Sequence, residues 1–165
     1  REVFDLTVTI NGFSKAYAAT GWRLGYAAAP LPVIKAATSV QDHSTSGANT
    51  FAQYGALAGL AAPGGTIEAM RAVFEERRNL VVSGLTEIPG LTCALPHGAF
   101  YVFPNVSRTG LDSMTFCARL LEQEAVATVP GVAFGADENI RISYATDTNT
   151  LREGLARLER FVRSL

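Results

Sequence analysis

Cysteine is scarce in this sequence of 165 residues, which contains only Cys93 and Cys117. Cys93 lies in a strand-like run and Cys117 in a helix-like run, so their positions do not indicate a disulfide framework. Small core side chains with reduced thiols are the simpler interpretation. The cysteine content therefore predicts a cytoplasmic protein.

The sequence also lacks an excess of charge of either sign and lacks long apolar runs. Its 14 basic and 15 acidic residues give a formal net charge of -1, without a basic cluster. This balance argues against a nucleic acid or a membrane surface as a partner. No run approaches the roughly 18 apolar residues of a membrane span, and residues 1–5 lack the layout of a signal peptide. A small-molecule ligand is the remaining expectation.

Apolar residues are abundant, at 48% of the chain, which is enough for a sizeable core in one domain or slightly more. Disorder is thereby excluded. The chain does not begin with methionine, and its first predicted element starts at residue 3. We therefore expect the sequence to open inside a longer protein.

Periodicity and turn residues divide the first 65 residues into short elements. They predict a strand at 3–10, a strand at 22–29, a helix from Pro30 to Gln41, a polar loop at 42–49 and an Ala-rich helix at 50–62. Charged residues then appear among apolar ones from Thr66 onward, which indicates a long amphipathic helix and a domain boundary.

The remaining sequence alternates short strands and helices. It predicts a hairpin of residues 91–95 and 100–106, a helix at 113–124 capped by Asp112, strands at 126–129 and 139–145, and a terminal helix opened by a capping box at 150–153. We predict three regions, which are residues 1–30, the connecting helices 31–65, and a small α+β domain at 66–165.

Three cations could carry chemistry. Lys15 is either a surface residue or an amine desolvated among small neighbours, as an imine-forming amine must be. Arg23 sits in an apolar run, where it requires either an acidic core partner or a bound phosphate. Arg141 lies within a predicted strand, either as an exposed charge on an edge strand or as an anion ligand.

The motifs around these cations resemble those of a known family. Segment 14–26, in which Lys15 and Arg23 stand eight positions apart, resembles the cofactor-lysine signature of class I (fold-type I) pyridoxal-phosphate aminotransferases. Segment 97–101 resembles the family's small-domain Gly-x-Phe segment, and segment 129–145 resembles its carboxylate-arginine region. The resemblance covers the whole chain, and the amino-acid sequence of segment 129–145 is most similar to that of bacterial aspartate aminotransferases.

This resemblance implies an α/β fold, in which the chain forms the carboxyl-terminal part of a mostly parallel large domain plus a small α+β domain. It implies that Lys15 forms a Schiff base with pyridoxal 5'-phosphate and moves protons at the substrate α-carbon. Arg23 and Ser14 are implied to bind the cofactor phosphate, and Arg141 the substrate α-carboxylate. The implied reaction transfers an amino group between an amino acid, of the aspartate or glutamate type, and a 2-oxo acid.

Two departures from the family pattern limit the resemblance. Gly12 stands where many relatives have a phosphate-binding serine, so Ser14 is the remaining hydroxyl candidate. The family's phosphate loop, ring-stacking aromatic residue and pyridine-binding Asp all precede the lysine, and they do not occur in this sequence. We therefore predict little or no transaminase activity for the isolated chain.

Further implications concern the assembly and the alternatives. The full-length protein is expected to be a homodimer, in which a loop like that at Ser44–Ser46 approaches the neighbouring site. His97 is expected to lie in a turn without a catalytic role, and no metal site is expected. The alternatives are an aminotransferase for aromatic or alanine-type substrates, a lyase of the same fold, or a non-catalytic binding module with an exposed apolar face around Phe4, Trp22 and helix 50–62.

Overall fold

The structure, a computed structural model, describes residues 3–165. The chain divides into two compact units, one that ends at Glu68 and one that comprises Ala69–Leu165. The three predicted regions, 1–30, 31–65 and 66–165, stay predictions, and the first two residues lie outside the described part.

The first unit contains a hairpin followed by two helices. Its elements are a 3-10 turn at Phe4–Leu6, strand β1 at Thr9–Gly12, a 3-10 turn at Thr20–Trp22, strand β2 at Gly25–Ala28, helix α1 at Leu31–Ser44 and helix α2 at Thr50–Ala61. The sequence predicts that these two strands belong to a wider, mostly parallel sheet. In the structure β1 and β2 pair antiparallel with each other, with Thr9 opposite Ala28. Both predicted helices are confirmed, and Asn49 caps α2 through a 3.1 Å hydrogen bond from the Ala52 amide.

The prediction of a strand at 3–10 is wrong for residues 3–8, because β1 begins only at Thr9. The Leu6 amide donates to the Val3 carbonyl, and the Thr7 hydroxyl donates to the same carbonyl at 2.6 Å, so these residues close a turn. Alternation of apolar and polar residues predicted a strand here, but the described residues provide no neighbouring strand for 3–8.

The first unit buries very few of its large apolar side chains. Among the described residues of this unit, only Phe13 and Ala52 are buried apolar residues, whereas Leu6 is 90% exposed and Phe51 is 75% exposed. The predicted exposed apolar face is confirmed for Phe4, Trp22 and the α2 residues Phe51, Tyr54, Leu57 and Leu60. An apolar surface of this extent is typical of a surface that another part of a protein covers.

The second unit is built around a three-stranded antiparallel sheet. Its elements are helix α3 at Gly65–Glu87, which begins before the unit boundary, strand β3 at Tyr101–Val102, helix α4 at Ser113–Glu124, strand β4 at Val129–Pro130, strand β5 at Ile140–Ser143 and helix α5 at Thr148–Arg163. Short 3-10 turns occupy Ser107–Thr109 and Gly131–Phe134. The strand order β3-β5-β4 makes β5 the central strand.

The helices of the second unit enclose a continuous core. Phe116 of α4 and Phe161 of α5 make an edge-to-face ring contact at 5.1 Å, and both side chains are buried. Leu85 of α3 and Ile140 of β5 are also inaccessible to solvent. Ile140 and Tyr144, on either side of Arg141 in the sequence, both belong to this core, so the core fixes the position of β5 and of Arg141.

Three sequence predictions for this unit are wrong in detail, and the first is the strand at 126–129, which the structure places at Val129–Pro130 as β4. The predicted hairpin reduces to one bridge between Thr92 and Asn105, because β3 pairs with β5 instead. The predicted capping box is replaced by Asp147, whose carboxylate accepts hydrogen bonds from the Thr150 amide and hydroxyl. Aspartate is an equally good cap, so α5 begins at Thr148 and Glu153 pairs with Arg157 at 2.8 Å.

Both cysteines are free thiols, Cys93 half-buried and Cys117 buried. Burial raises the pKa of each thiol, which favours the protonated and unreactive form. Across residues 3–165, none of the helices combines the length and apolar character needed to cross a membrane. The compartment of the protein stays a prediction.

Candidate active site

Lys15 and Arg23 lie on the connection between β1 and β2, and this connection is anchored at both ends. At its base the Phe13 amide donates a 3.1 Å hydrogen bond to the Leu24 carbonyl. The buried ring of Phe13 lies 5.1 Å from that of Tyr17 and 5.9 Å from that of Tyr26. The connection is therefore a folded segment rather than an extended loop.

Helix α2 receives this segment through its small residues. A Cβ atom added to Gly55 would overlap the ring of Trp22, and one added to Gly59 would lie 3.3 Å from the ring of Tyr17. Residues four apart share one face of a helix, so two glycines one turn apart accept two aromatic rings. The Ala- and Gly-rich composition of α2 thus fixes the position of the residues between Tyr17 and Trp22.

Lys15 stands in the turn that follows Phe13, and its side chain is exposed. The Lys15 carbonyl accepts a 3.0 Å hydrogen bond from the Ala18 amide, which closes the turn. The neighbouring Ser14 is half-buried, and its carbonyl accepts a 2.9 Å hydrogen bond from the Thr20 hydroxyl. The desolvation expected of an imine-forming amine is not supplied by this unit.

Arg23 is not buried in a strand, and both the predicted burial and the core ion pair are wrong. The residue is exposed and ends the 3-10 turn in a left-handed conformation, with φ of 53°, so that β2 begins only at Gly25. Its Nη1 donates a 3.0 Å hydrogen bond to the Thr20 carbonyl. Among residues 3–165 no acidic side chain pairs with it, which leaves further N–H donors for an anion.

The backbone around Arg23 is strained. Ala18, with φ of 51°, and Arg23 are both left-handed although neither is glycine. Each such residue costs about 1–3 kcal/mol and tends to occur at functional sites. Arg23 also borders a cavity of about 720 Å³ whose lining includes Thr45 and Asn49. An amine, a guanidinium and a hydroxyl on one short segment fit a ligand that bears an aldehyde and a phosphate.

Arg141 belongs to the second unit and occupies the central strand, so the edge-strand alternative is wrong. On the neighbouring strand β4, Val129 lies opposite Arg141. Its side chain is half-buried, and its Cζ lies 4.5 Å from the ring centroid of Tyr101 and 4.7 Å from that of Phe134. Among the described residues no carboxylate pairs with this guanidinium, a combination that suits an external anion.

Several residues near Arg141 were not identified from the sequence. Tyr101 lies in segment 97–101 and Phe134 in segment 129–145, but the pattern of apolar and polar residues did not indicate a role for either one. Their aromatic character beside an arginine was the available signal. His97 is exposed in a bend between Leu91 and Tyr101. Residues 3–165 contain no group of three His, Cys, Asp or Glu side chains placed to hold a metal ion.

The candidate residues therefore form two groups. Ser14, Lys15 and Arg23 lie on one segment of the first unit, and Arg141 lies in the second unit with its two aromatic contacts. Among residues 3–165, each group contains an arginine that pairs with no carboxylate, a feature that suits an anionic small molecule as ligand.

Comparison with known proteins identifies the class. A family model described as aminotransferase class I and II matches residues 2–158. The chain belongs to this family. The predicted membership and the α/β fold class are both confirmed, since the structural neighbours are aminotransferases.

The relatives include enzymes named for aspartate. The chain is 48% identical over 163 residues to an aspartate aminotransferase of Bacillus subtilis, covering 96% of this chain and 42% of that protein. It is 46% identical to an aspartate/prephenate aminotransferase of Cereibacter sphaeroides, covering 99% and 43%. The chain thus spans about two fifths of the length of these relatives.

Solved structures give the same result. The crystal structure of the aspartate aminotransferase from Rhizobium meliloti has a TM-score of 0.93 and 40% identity, covering 97% of this chain and 42% of that one. The structure of an aromatic aminotransferase from Pyrococcus horikoshii has a TM-score of 0.95 and 41% identity, covering 99% and 45%.

Proposed function

We propose that these residues form the carboxyl-terminal part of an aminotransferase that moves an amino group between an amino acid and a 2-oxo acid. The observation that carries the proposal is the segment between β1 and β2, where Lys15 and Arg23 lie on one anchored connection. Family membership supports it, because relatives of this family are named as aminotransferases. Pyridoxal 5'-phosphate is the proposed cofactor.

In this proposal Lys15 is the catalytic residue. Its Nζ would hold the cofactor at the aldehyde carbon and would move the proton at the substrate α-carbon. The bound cofactor supplies the electron sink that stabilises negative charge at that carbon. Because Lys15 is exposed in this chain, water must be excluded from it by residues of the full-length enzyme.

Arg23 and Ser14 are proposed to hold the phosphate. A guanidinium stays charged at every physiological pH and offers several N–H donors to a dianion. The bond from Arg23 Nη1 to the Thr20 carbonyl fixes one end of the guanidinium and leaves the rest for the ligand. Ser14 contributes a hydroxyl on the same segment, where Gly12 contributes no side chain.

Arg141 is proposed to bind the substrate α-carboxylate. A planar guanidinium donates two parallel hydrogen bonds to a carboxylate, which lysine cannot reproduce. Its half-buried position would make that pairing stronger than at a fully exposed site. The proposed substrates are aspartate or glutamate and the corresponding 2-oxo acids, and the names of two relatives include aspartate.

A second candidate is an aminotransferase for aromatic substrates. The observation that favours it is the likeness to the aromatic aminotransferase from Pyrococcus horikoshii, with a TM-score of 0.95. We also propose a homodimeric, cytoplasmic full-length enzyme, in which the Ser44–Ser46 loop approaches the neighbouring subunit's site. The exposed apolar face of the first unit supports burial against another part of the enzyme.

Transaminase assays of three proteins test the proposal. A full-length enzyme that carries these residues should convert aspartate and 2-oxoglutarate with added pyridoxal phosphate, and Lys15→Ala should remove that activity. The isolated 165-residue chain should show little or none. Comparable turnover by the Lys15→Ala variant, or no turnover of any of a panel of amino acids by the full-length enzyme, would refute it.

A further inference from the structure

The guanidinium of Arg141 has two aromatic neighbours and no acidic one within the described chain. Its Cζ lies over the ring of Tyr101 at 4.5 Å and over the ring of Phe134 at 4.7 Å. Both distances are well inside the range of about 6 Å in which a cation is attracted to an aromatic face. The rings attract the cation while leaving its N–H groups without an acceptor.

The two rings are themselves held in place. Tyr101 lies on β3, opposite Ser143 in the sheet, and its ring contacts that of Phe100 at 4.5 Å. Phe134 meets Phe103 edge to face at 6.0 Å. Each ring thus has an aromatic neighbour besides the guanidinium of Arg141, although Phe134 remains 49% exposed.

The loop that carries Phe134 is tightly closed. The Gly131 amide donates a 2.8 Å hydrogen bond to the Asn139 carbonyl across the base of the loop. A Cβ atom at Gly131 would overlap the carbonyl oxygens of Ala136 and Asn139, so the backbone passes itself closely there. The Val132 amide donates a 3.2 Å hydrogen bond to the hydroxyl of the buried Ser113. The position of Phe134 is thus fixed relative to α4 and β5.

An unrestrained arginine loses much conformational freedom when it binds a carboxylate in two-point fashion. Contact with two rings removes part of that freedom before binding, because only some orientations of the planar group fit both faces. Lysine has no planar group to align in this way. The restriction therefore matters for the binding of a carboxylate and not for the later chemical steps.

We propose that Tyr101 and Phe134 are positioning residues, whose rings hold the guanidinium of Arg141 in the orientation that receives a substrate carboxylate. The inference rests on the proposed function, because it assigns Arg141 the same ligand. It adds a determinant of substrate affinity that lies outside the arginine itself. It also explains why one strand residue and one loop residue approach the same cation.

The test uses the full-length enzyme with cofactor and four ring variants. Tyr101→Leu and Phe134→Leu remove a ring, whereas Tyr101→Phe and Phe134→Tyr retain one. Val132→Ala is the matched control, because Val132 lies in the same turn and is 48% exposed. The measurements are KM and kcat for the amino acid and the Kd of succinate by calorimetry, with thermal unfolding as a check on folding.

We expect each leucine variant to raise KM and the succinate Kd by about 2- to 30-fold, with kcat changed by less than about threefold. The variants that retain a ring should stay close to the wild type, as should Val132→Ala. In an Arg141→Lys background the leucine changes should add no further loss, because the rings then have no planar group to orient.

Other outcomes separate this inference from the proposed function. If the wild type transaminates and Arg141→Lys impairs it, but the leucine variants match Val132→Ala in KM and Kd, the positioning role alone is overturned. The same holds if the leucine changes lower kcat without raising KM, or cost as much in the Arg141→Lys background. If the wild type neither transaminates nor binds succinate, the proposed function fails first.

Discussion

The hydroxyl of Ser113, which is completely buried, donates a 2.6 Å hydrogen bond to the carboxylate of Asp137. The same carboxylate accepts a 3.1 Å hydrogen bond from the Ser113 amide, so one end of α4 is joined to the turn that precedes β5. The Ser113 hydroxyl also accepts from the Val132 amide. One buried side chain thereby connects the start of a helix to both ends of the loop beside Arg141.

Replacement of Ser113 by alanine should destabilise the second unit by about 1–3 kcal/mol, because the change removes one of the two hydrogen bonds from Ser113 to Asp137 Oδ1 and leaves the Val132 amide without its acceptor. Urea unfolding of the chain, followed by circular dichroism, measures this loss. Ser83→Ala is the matched control, since Ser83 is exposed on α3 and its hydroxyl lies 3.5 Å from Glu87. The control should change stability by less than about 0.5 kcal/mol. Equal losses for the two variants would contradict the account.

Protonation of Asp147 should weaken α5 at low pH. The pKa of this carboxyl lies below its ordinary value of 3.8. The largest cause is the hydrogen bond from the Thr150 hydroxyl, and the amides of Thr150 and Asn149 add to the effect. A carboxyl with a lowered pKa in the folded state stabilises the fold above its ordinary pKa, and that stability is lost as the pH falls through the lowered value.

The variant Asp147→Asn retains an oxygen that can cap the helix but removes the ionisation. The free energy of unfolding should therefore fall less steeply below about pH 4 in the variant than in the wild type. Asp147→Ala, which removes the cap at every pH, should be less stable than the wild type at pH 7. An unchanged acid slope in Asp147→Asn would show that this carboxyl is not held in its charged form by the cap.

Replacement of Gly55 by alanine should disturb the segment that carries Lys15 and Arg23. Alanine favours a helix interior by about 0.5–1 kcal/mol, but overpacking against the Trp22 ring costs about 1–3 kcal/mol, so the net effect should be destabilising. Trp22 is the only tryptophan, and its fluorescence reports the change directly. The emission spectrum should shift in Gly55→Ala and should stay unchanged in Gly154→Ala, where a Cβ meets no atom within 4 Å. Identical spectra would show that the ring does not pack on Gly55.

The helices were predictable because their signals are local. Asp112 caps α4 as predicted, proline precedes α1, and the apolar residues of α5 recur at helical spacing, so each of these helices was located within a few residues. The strands were less predictable, since residues 91–106 have strand-like composition but β3 finds its partner in β5, about 40 residues later. Such pairing depends on contacts between distant residues, which propensity does not contain.

The sequence predicted which residues belong to the candidate site, but it did not predict the burial or the neighbours of those residues. The sequence singled out Lys15, Arg23 and Arg141, but it placed Arg23 in a buried strand that begins only two residues later. It gave no role to Tyr101 and Phe134, because the proximity of their rings to Arg141 arises from strand register and from the closure of a loop. The family resemblance supplied the roles of the cations, and only the fold supplied their neighbours.

The central claim is that Lys15 binds the cofactor. The most direct measurement is reduction of the full-length enzyme with borohydride in the presence of pyridoxal phosphate, followed by digestion and mass spectrometry. Lys35, the other lysine in this sequence, is an internal control in α1. We predict that the peptide containing Lys15 carries the reduced adduct and that the peptide containing Lys35 does not. An adduct on Lys35 with Lys15 unmodified, or no stable adduct on either, would contradict the account.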